Sequence, residues 1–91
     1  MFKYHNIKII EAKNFMQRLI GLSFKNKIKY GMLFKNCRSI HTFFMLDNID
    51  VIATDKDNKI IKEYKNVKPG KIIIAPKNVK NIYEMPKGTI K

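Results

Sequence analysis

The chain has one cysteine, Cys37. No internal disulfide can staple it, and no disulfide partner is expected. A lone thiol fits a reducing compartment. Long apolar runs are missing as well. Nothing approaches the roughly 18 apolar residues of a membrane span. The start, Met1 to Ile10, is broken by polar residues every second or third position, unlike the continuous apolar stretch of a signal peptide. A soluble, cytoplasmic protein is therefore expected. One cysteine and two histidines are too few for a closed zinc site, which takes four ligands. No metal or cofactor is expected. Acids are scarce, with 7 Asp and Glu against 19 Lys and Arg, and arginine is scarcer still, since only Arg18 and Arg38 occur.

The net charge of +12 raises the question of nucleic acid. Lys, Asn and Ile make up close to half the chain, the signature of an A+T-rich genome. Phosphate recognition favours the planar fork of arginine. Here lysines, scattered along the sequence, dominate. Weak, non-specific and steeply salt-dependent nucleic-acid binding is the form such a charge supports.

Ninety-one residues make one domain with a core of marginal size. Ile7 and Ile9 alternate with polar neighbours as in a half-buried strand. Ala12, Phe15, Met16, Leu19 and Ile20 then follow helical spacing, with Gly21 placed as a C-cap, so one short helix is expected over residues 12–20. Gly31–Phe34, Ser39–Leu46, Ile49–Thr54, Lys59–Tyr64, Ile72–Ile74 and Val79–Met85 read as strands. They are separated by the turns Asp55–Asn58 and Lys68–Gly70 and stopped at Pro76 and Pro86. Short strands at this spacing argue a mostly β (α+β) fold. The expected form is a small antiparallel β-barrel or sandwich carrying the single helix.

Candidate chemistry is sparse. Cys37 and His41 could act as nucleophile and base, with Asp50 as a third member. On a strand, however, positions i and i+4 lie about 13 Å apart at about 3.3 Å per residue, too far for a direct hydrogen bond without a bend at Arg38-Ser39. Asp55-Lys56-Asp57-Asn58-Lys59 opens like a calcium loop but lacks the later oxygen ligands and glycine, so it is a turn. Lys68-Pro69-Gly70-Lys71 lacks the spacing of a phosphate loop. Phe43 and Phe44 could stack bases, yet neighbours on a strand face opposite ways, which puts at least one of them in the core. Asp50 and Glu84 are acids inside apolar strands and need a partner or backbone N–H groups if buried. A salt bridge from Arg18 to one of them is expected.

Several segments recur in a characteristic order: Arg18-Leu19-Ile20-Gly21-Leu22, Gly31-Met32-Leu33-Phe34, Cys37 through Met45, Ile49-Asp50-Val51-Ile52, and Tyr83 through Thr89. Together they resemble the prokaryotic family called domain of unknown function one hundred and ninety-two, over nearly the whole chain. The resemblance implies a compact β-barrel-like domain with a short helix and no established activity, substrate or cofactor. It also implies the short cytoplasmic form of a family in which some relatives carry signal peptides. Three positions depart from the family pattern. Asn48 stands where a proline often precedes the Ile/Leu-Asp pair, and Pro69-Gly70-Lys71 replaces a Pro-Trp-Arg-like turn. The sequence ends at Lys91, where relatives continue into one more strand.

The functional expectation is a small binding or accessory module without catalysis. Arg18, His41, Thr42, Asp50 and Glu84 are the candidate ligand-site residues. The alternatives are a hydrolase- or transferase-type enzyme using Cys37, His41 and Asp50, and a non-specific nucleic-acid binder.

Overall fold

A computed structural model describes residues 3–4, 6–14 and 28–91. Among them seven strands form: β1 (Ile9–Glu11), β2 (Gly31–Lys35), β3 (Ser39–His41), β4 (Ile49–Thr54), β5 (Ile60–Val67), β6 (Ile72–Ile74) and β7 (Asn81–Pro86). A five-stranded sheet has the order β1-β2-β7-β4-β5, and β3 and β6 form a separate two-stranded ribbon.

The mostly β architecture is as expected, but the sheet is not a closed barrel. Closure would need the edges β1 and β5 to continue into further strands. β3 and β6, the two left over, satisfy each other instead. Nor is the sheet wholly antiparallel, because β1 runs parallel to β2 with Ile9 opposite Gly31. A parallel pair needs a crossover of a dozen or more residues, and the chain between Glu11 and Gly31 provides that length. Of the helix expected over 12–20, residues 12–14 are not helical. Residues 15–20 lie outside the described residues.

Strand alternation sorts the side chains into two cores. Met32 and Phe34 of β2, Ile49, Val51 and Ala53 of β4 and Ile82 of β7 project to one face. Ile52, Tyr83 and Met85 project to the other, with Tyr4 and Ile90 over them. All six residues of β4 are buried, because strands flank it on both edges and side chains cover both its faces. Each fully buried Ile, Val or Met there contributes roughly 1.5–3 kcal/mol relative to exposure.

The ribbon covers the first of these faces. Ile73 is buried in that core, and Ile40, its partner across the ribbon, packs against it. One face of a two-residue period goes inward, so the other must go outward.

Candidate functional site

β6 is three isoleucines in a row. Ile73 anchors the ribbon, while Ile72 and Ile74 point the other way and are 66% and 68% exposed. Across the ribbon they stand opposite His41 and Ser39. The chain leaving β3 adds Leu46, 59% exposed, and Phe44, 67% exposed. Phe44 holds φ at 66°, in the left-handed region that costs a bulky side chain of order 1–3 kcal/mol. The expectation that Phe43 or Phe44 is core is corrected, since both are exposed. The expected strand over 39–46 in fact ends at His41, so alternation no longer governs the residues after it.

Thr42 ends the strand. It is fully buried, and its hydroxyl donates to the Lys68 carbonyl at 2.8 Å while accepting the Lys71 N–H at 2.8 Å. Its own N–H donates to the Lys71 carbonyl, and its carbonyl accepts the Gly70 N–H at 3.0 Å. Gly70 at φ 82° supplies the left-handed residue this turn requires. Thr42 is thus a clamp that pins the Lys68–Lys71 turn to the end of β3 and fixes how the ribbon lies.

Charge is unevenly placed around the ribbon. The ribbon and its flanks, residues 35–46 and 68–80, contain no Asp or Glu. They carry Lys35, Arg38, Lys68, Lys71, Lys77 and Lys80. All seven acids lie elsewhere. Two of them, Asp50 and Glu84, are buried. Glu11, Asp47 and Glu63 pair with Lys35, Lys87 and Lys3. Beside the ribbon, Asn36, Cys37, Arg38, Lys77, Val79 and Lys80 line a cavity of about 290 Å³ with cationic walls.

The proposed catalytic residues take separate structural roles. The half-buried Cys37 thiol donates to the Ser39 carbonyl at 3.1 Å. His41 Nδ1 accepts the Phe43 N–H at 3.2 Å, and its ring stacks on Phe43 with centroids 5.1 Å apart. Asp50 is completely buried. Its Oδ1 accepts the Asn66 N–H at 2.8 Å and its Oδ2 accepts the Ile90 N–H at 2.7 Å. The first of these repairs a β-bulge. Between the pairs Ile49–Val67 and Val51–Tyr64, β5 holds one residue more than a regular ladder, and Asn66 there adopts φ 57°. A bulge leaves a backbone group without a ladder partner, and the carboxylate of Asp50 supplies one. No hydrogen bond joins Cys37, His41 and Asp50. Glu84 is buried on β7 between Met32 and Val51. Arg18 lies outside the described residues, and so does any pairing it makes.

A second cavity, about 660 Å³, lies between the start of the described chain and its last residues, with Lys3, Tyr4, Glu63 and the Lys87–Lys91 segment on its walls. Tyr4 Oη donates to Glu63 Oε2 at 2.5 Å, and Lys3 Nζ lies 3.3 Å from the same oxygen. The hydrogen bond from Tyr4 holds the Glu63 carboxyl below its ordinary range, with Lys3 adding to the effect. Burial pushes the Tyr4 phenol up.

The sequence marks Ile72–Ile74 as a strand without showing which face is covered. Three consecutive branched residues on a strand can all be buried only if both faces are covered. The acid-free windows 35–46 and 68–80 were the readable sign of charge segregation.

The family model described as uncharacterized ACR, DUF192, matches residues 2–91. A UPF0127 protein of Pyrococcus horikoshii is 36% identical over 83 residues, covering 85% of this chain and 70% of the relative. UPF0127 proteins of Thermococcus sibiricus and Thermococcus kodakarensis are 32% and 30% identical, with 87% and 92% of this chain covered. The chain spans only 54% and 57% of those two Thermococcus proteins. Two crystal structures share the fold. A Novosphingobium aromaticivorans protein of unknown function matches with TM-score 0.76 at 17% identity, over 88% of this chain and 63% of that one. A Sinorhizobium meliloti protein described as a candidate transcription regulator matches with TM-score 0.79 at 22% identity, over 90% of this chain and 70% of that one.

Proposed function

This chain belongs to the DUF192 family, and from that starting point we propose that it is a cytoplasmic, non-catalytic binding module whose contact face is the outer side of the β3–β6 ribbon. One observation carries the reading. Ile72 and Ile74 are two-thirds exposed on a ribbon whose own segments hold six cations, one of them paired with Glu11, and no acid. A ligand for such a face combines apolar surface with negative charge. Catalysis needs groups that converge. Here the Cys37 thiol, the His41 ring and the Asp50 carboxylate each bond to a different stretch of backbone.

The test uses anilinonaphthalene sulfonate, a small probe that is itself apolar and anionic. The folded protein should enhance its fluorescence. Ile72→Ser/Ile74→Ser should abolish most of that enhancement while melting cooperatively near the wild-type temperature. Cys37→Ala should leave it intact. No enhancement by the wild type, or enhancement indifferent to the two isoleucines, would sink the proposal.

A further inference from the structure

The chemistry of the ribbon face narrows its ligand. Its exposed groups are of three kinds, the first being the aromatic rings of Phe43 and Phe44. Ile72, Ile74 and Leu46 are aliphatic. Lys68, Lys71 and Lys77 are flexible point charges, and Arg38 is the single guanidinium on the lobe. We infer that this face docks on the surface of an anionic lipid bilayer, with the aliphatic side chains entering the headgroup boundary and the ammonium groups resting among the phosphates. The inference rests on the binding-module reading above and names its partner.

Three observations favour lipid over other polyanions. Single-stranded nucleic acid is held by successive aromatic platforms that stack bases; here the Phe43 ring already stacks on His41, and the ribbon strand itself presents aliphatic Ile72 and Ile74. Phosphates at fixed positions are taken by arginine forks, whereas a fluid headgroup layer needs no directional donor and is attracted about equally by any juxtamembrane lysine. A protein partner is disfavoured by the excess of lysine over the single arginine of the lobe, since lysine is depleted in protein interfaces. Exposed apolar side chains flanked by exposed cations are the arrangement of an interfacial anchor.

The geometry agrees. Ile73 and Ile40 hold the ribbon to the core from beneath, and Thr42 locks its end turn, so Ile72 and Ile74 are presented on a rigid support. Phe44 is fixed in the left-handed region with two-thirds of its surface exposed. Such backbone strain persists where the surrounding structure imposes it and gathers at functional segments. The cationic cavity at Arg38, Lys77 and Lys80 lies beside the same ribbon and offers a seat for a headgroup phosphate.

Co-sedimentation with lipid vesicles tests the inference. The protein should pellet with vesicles of phosphatidylcholine containing about one third phosphatidylglycerol, a fraction chosen to give a strongly negative surface, and should stay in solution with pure phosphatidylcholine. Ile72→Ser/Ile74→Ser should weaken partitioning by about 30- to 100-fold at constant salt, since each exposed isoleucine adds about tenfold on insertion. Lys71→Gln/Lys77→Gln should weaken it by about 25-fold, about fivefold per lysine. Both variants must melt as the wild type does. Should the isoleucine pair disturb folding, Leu46→Ser gives an independent reading of insertion.

Absence of binding to the anionic vesicles overturns the inference, as does binding that the isoleucine and leucine changes leave untouched. Tighter binding to a single-stranded oligonucleotide than to the vesicles, unaffected by those changes, overturns it in favour of nucleic acid. If the sulfonate probe still reports the ribbon face while vesicles fail to bind, the lipid assignment alone is lost. If the probe also fails, the binding-module reading falls with it.

Discussion

Replacing Asp50 separates an architectural carboxylate from a chemical one. It is fully buried and accepts two backbone N–H groups, from Asn66 at 2.8 Å and Ile90 at 2.7 Å. Hydrogen bonds to a charged acceptor contribute roughly 1.5–3 kcal/mol each. Asp50→Ala removes both at once and leaves two donors facing a cavity, so the loss should be roughly 3–6 kcal/mol. A domain of this size has on the order of 5–15 kcal/mol in total and sits toward the lower end, which puts the alanine variant near the edge of folding. Asp50→Asn keeps one acceptor oxygen and turns an amide N–H toward the other donor, and should lose about half as much. Urea titration followed by circular dichroism at neutral pH measures this. With a slope of about 1–3 kcal/mol per molar, the asparagine variant should shift its midpoint by about 1 M or more. An Asp50→Ala variant within about 1 kcal/mol of wild type would refute the argument. Asp50 would then not be holding the Asn66 bulge and the Ile90 segment together, and a role in chemistry would reopen.

Further outcomes can be checked alongside. A Cβ on Gly31 would collide with the sulfur of buried Met85, so Gly31→Ala should cost about 1–3 kcal/mol by overpacking. Met85→Ala should cost about 2–5 kcal/mol alone, and a double-mutant cycle should show the two losses less than additive, because the second change empties the space the first invades. Stability should also fall in acid. Glu63 has a folded pKa below its unfolded value, chiefly through the Tyr4 hydroxyl. Its contribution is therefore present above the ordinary glutamate range and disappears as pH drops through the lowered value. Tyr4→Phe should flatten that acid limb in thermal melts between about pH 5 and pH 3, and an unchanged limb would exclude the contact. Tyr4 and Tyr83 are raised by burial, so stability should decline as pH climbs past 10 and the unfolded phenols ionise first. The Cys37 thiol donates to the Ser39 carbonyl and the His41 ring accepts the Phe43 N–H. Its alkylation rate near neutral pH should therefore be the same in His41→Ala. A large drop in that variant would revive the nucleophile and base pair.

Most strand positions are legible in the chain alone. Ile49–Thr54 and Ile72–Ile74 match their expected ranges, and Gly31–Phe34, Lys59–Tyr64 and Val79–Met85 fall within one to three residues of theirs at each end. Alternation, glycine, proline and Asp/Asn turns are local signals, so a reader with the chain alone can find them. The family order of motifs was legible for the same reason. Which strands pair was decided only by the fold. The parallel β1–β2 pair, the open five-stranded sheet and the separate ribbon depend on crossovers and on contacts between residues far apart in sequence. Ser39–Leu46 reads as one strand because nothing local announces that Thr42 will be seized by a turn 26 residues away. Once it is, Phe43, Phe44 and Leu46 lose their alternation and come to the surface. Asp50 posed a visible problem in the sequence, a charge in an apolar strand. Its solution required a bulge on a neighbouring strand and a segment near Lys91. The lysines look scattered in one dimension. Folding brings residues 35–46 and 68–80 together as β3 and β6 pair, and so concentrates cations where no acid follows. Composition fixes how much charge a chain carries, but only tertiary pairing fixes which charges share a face.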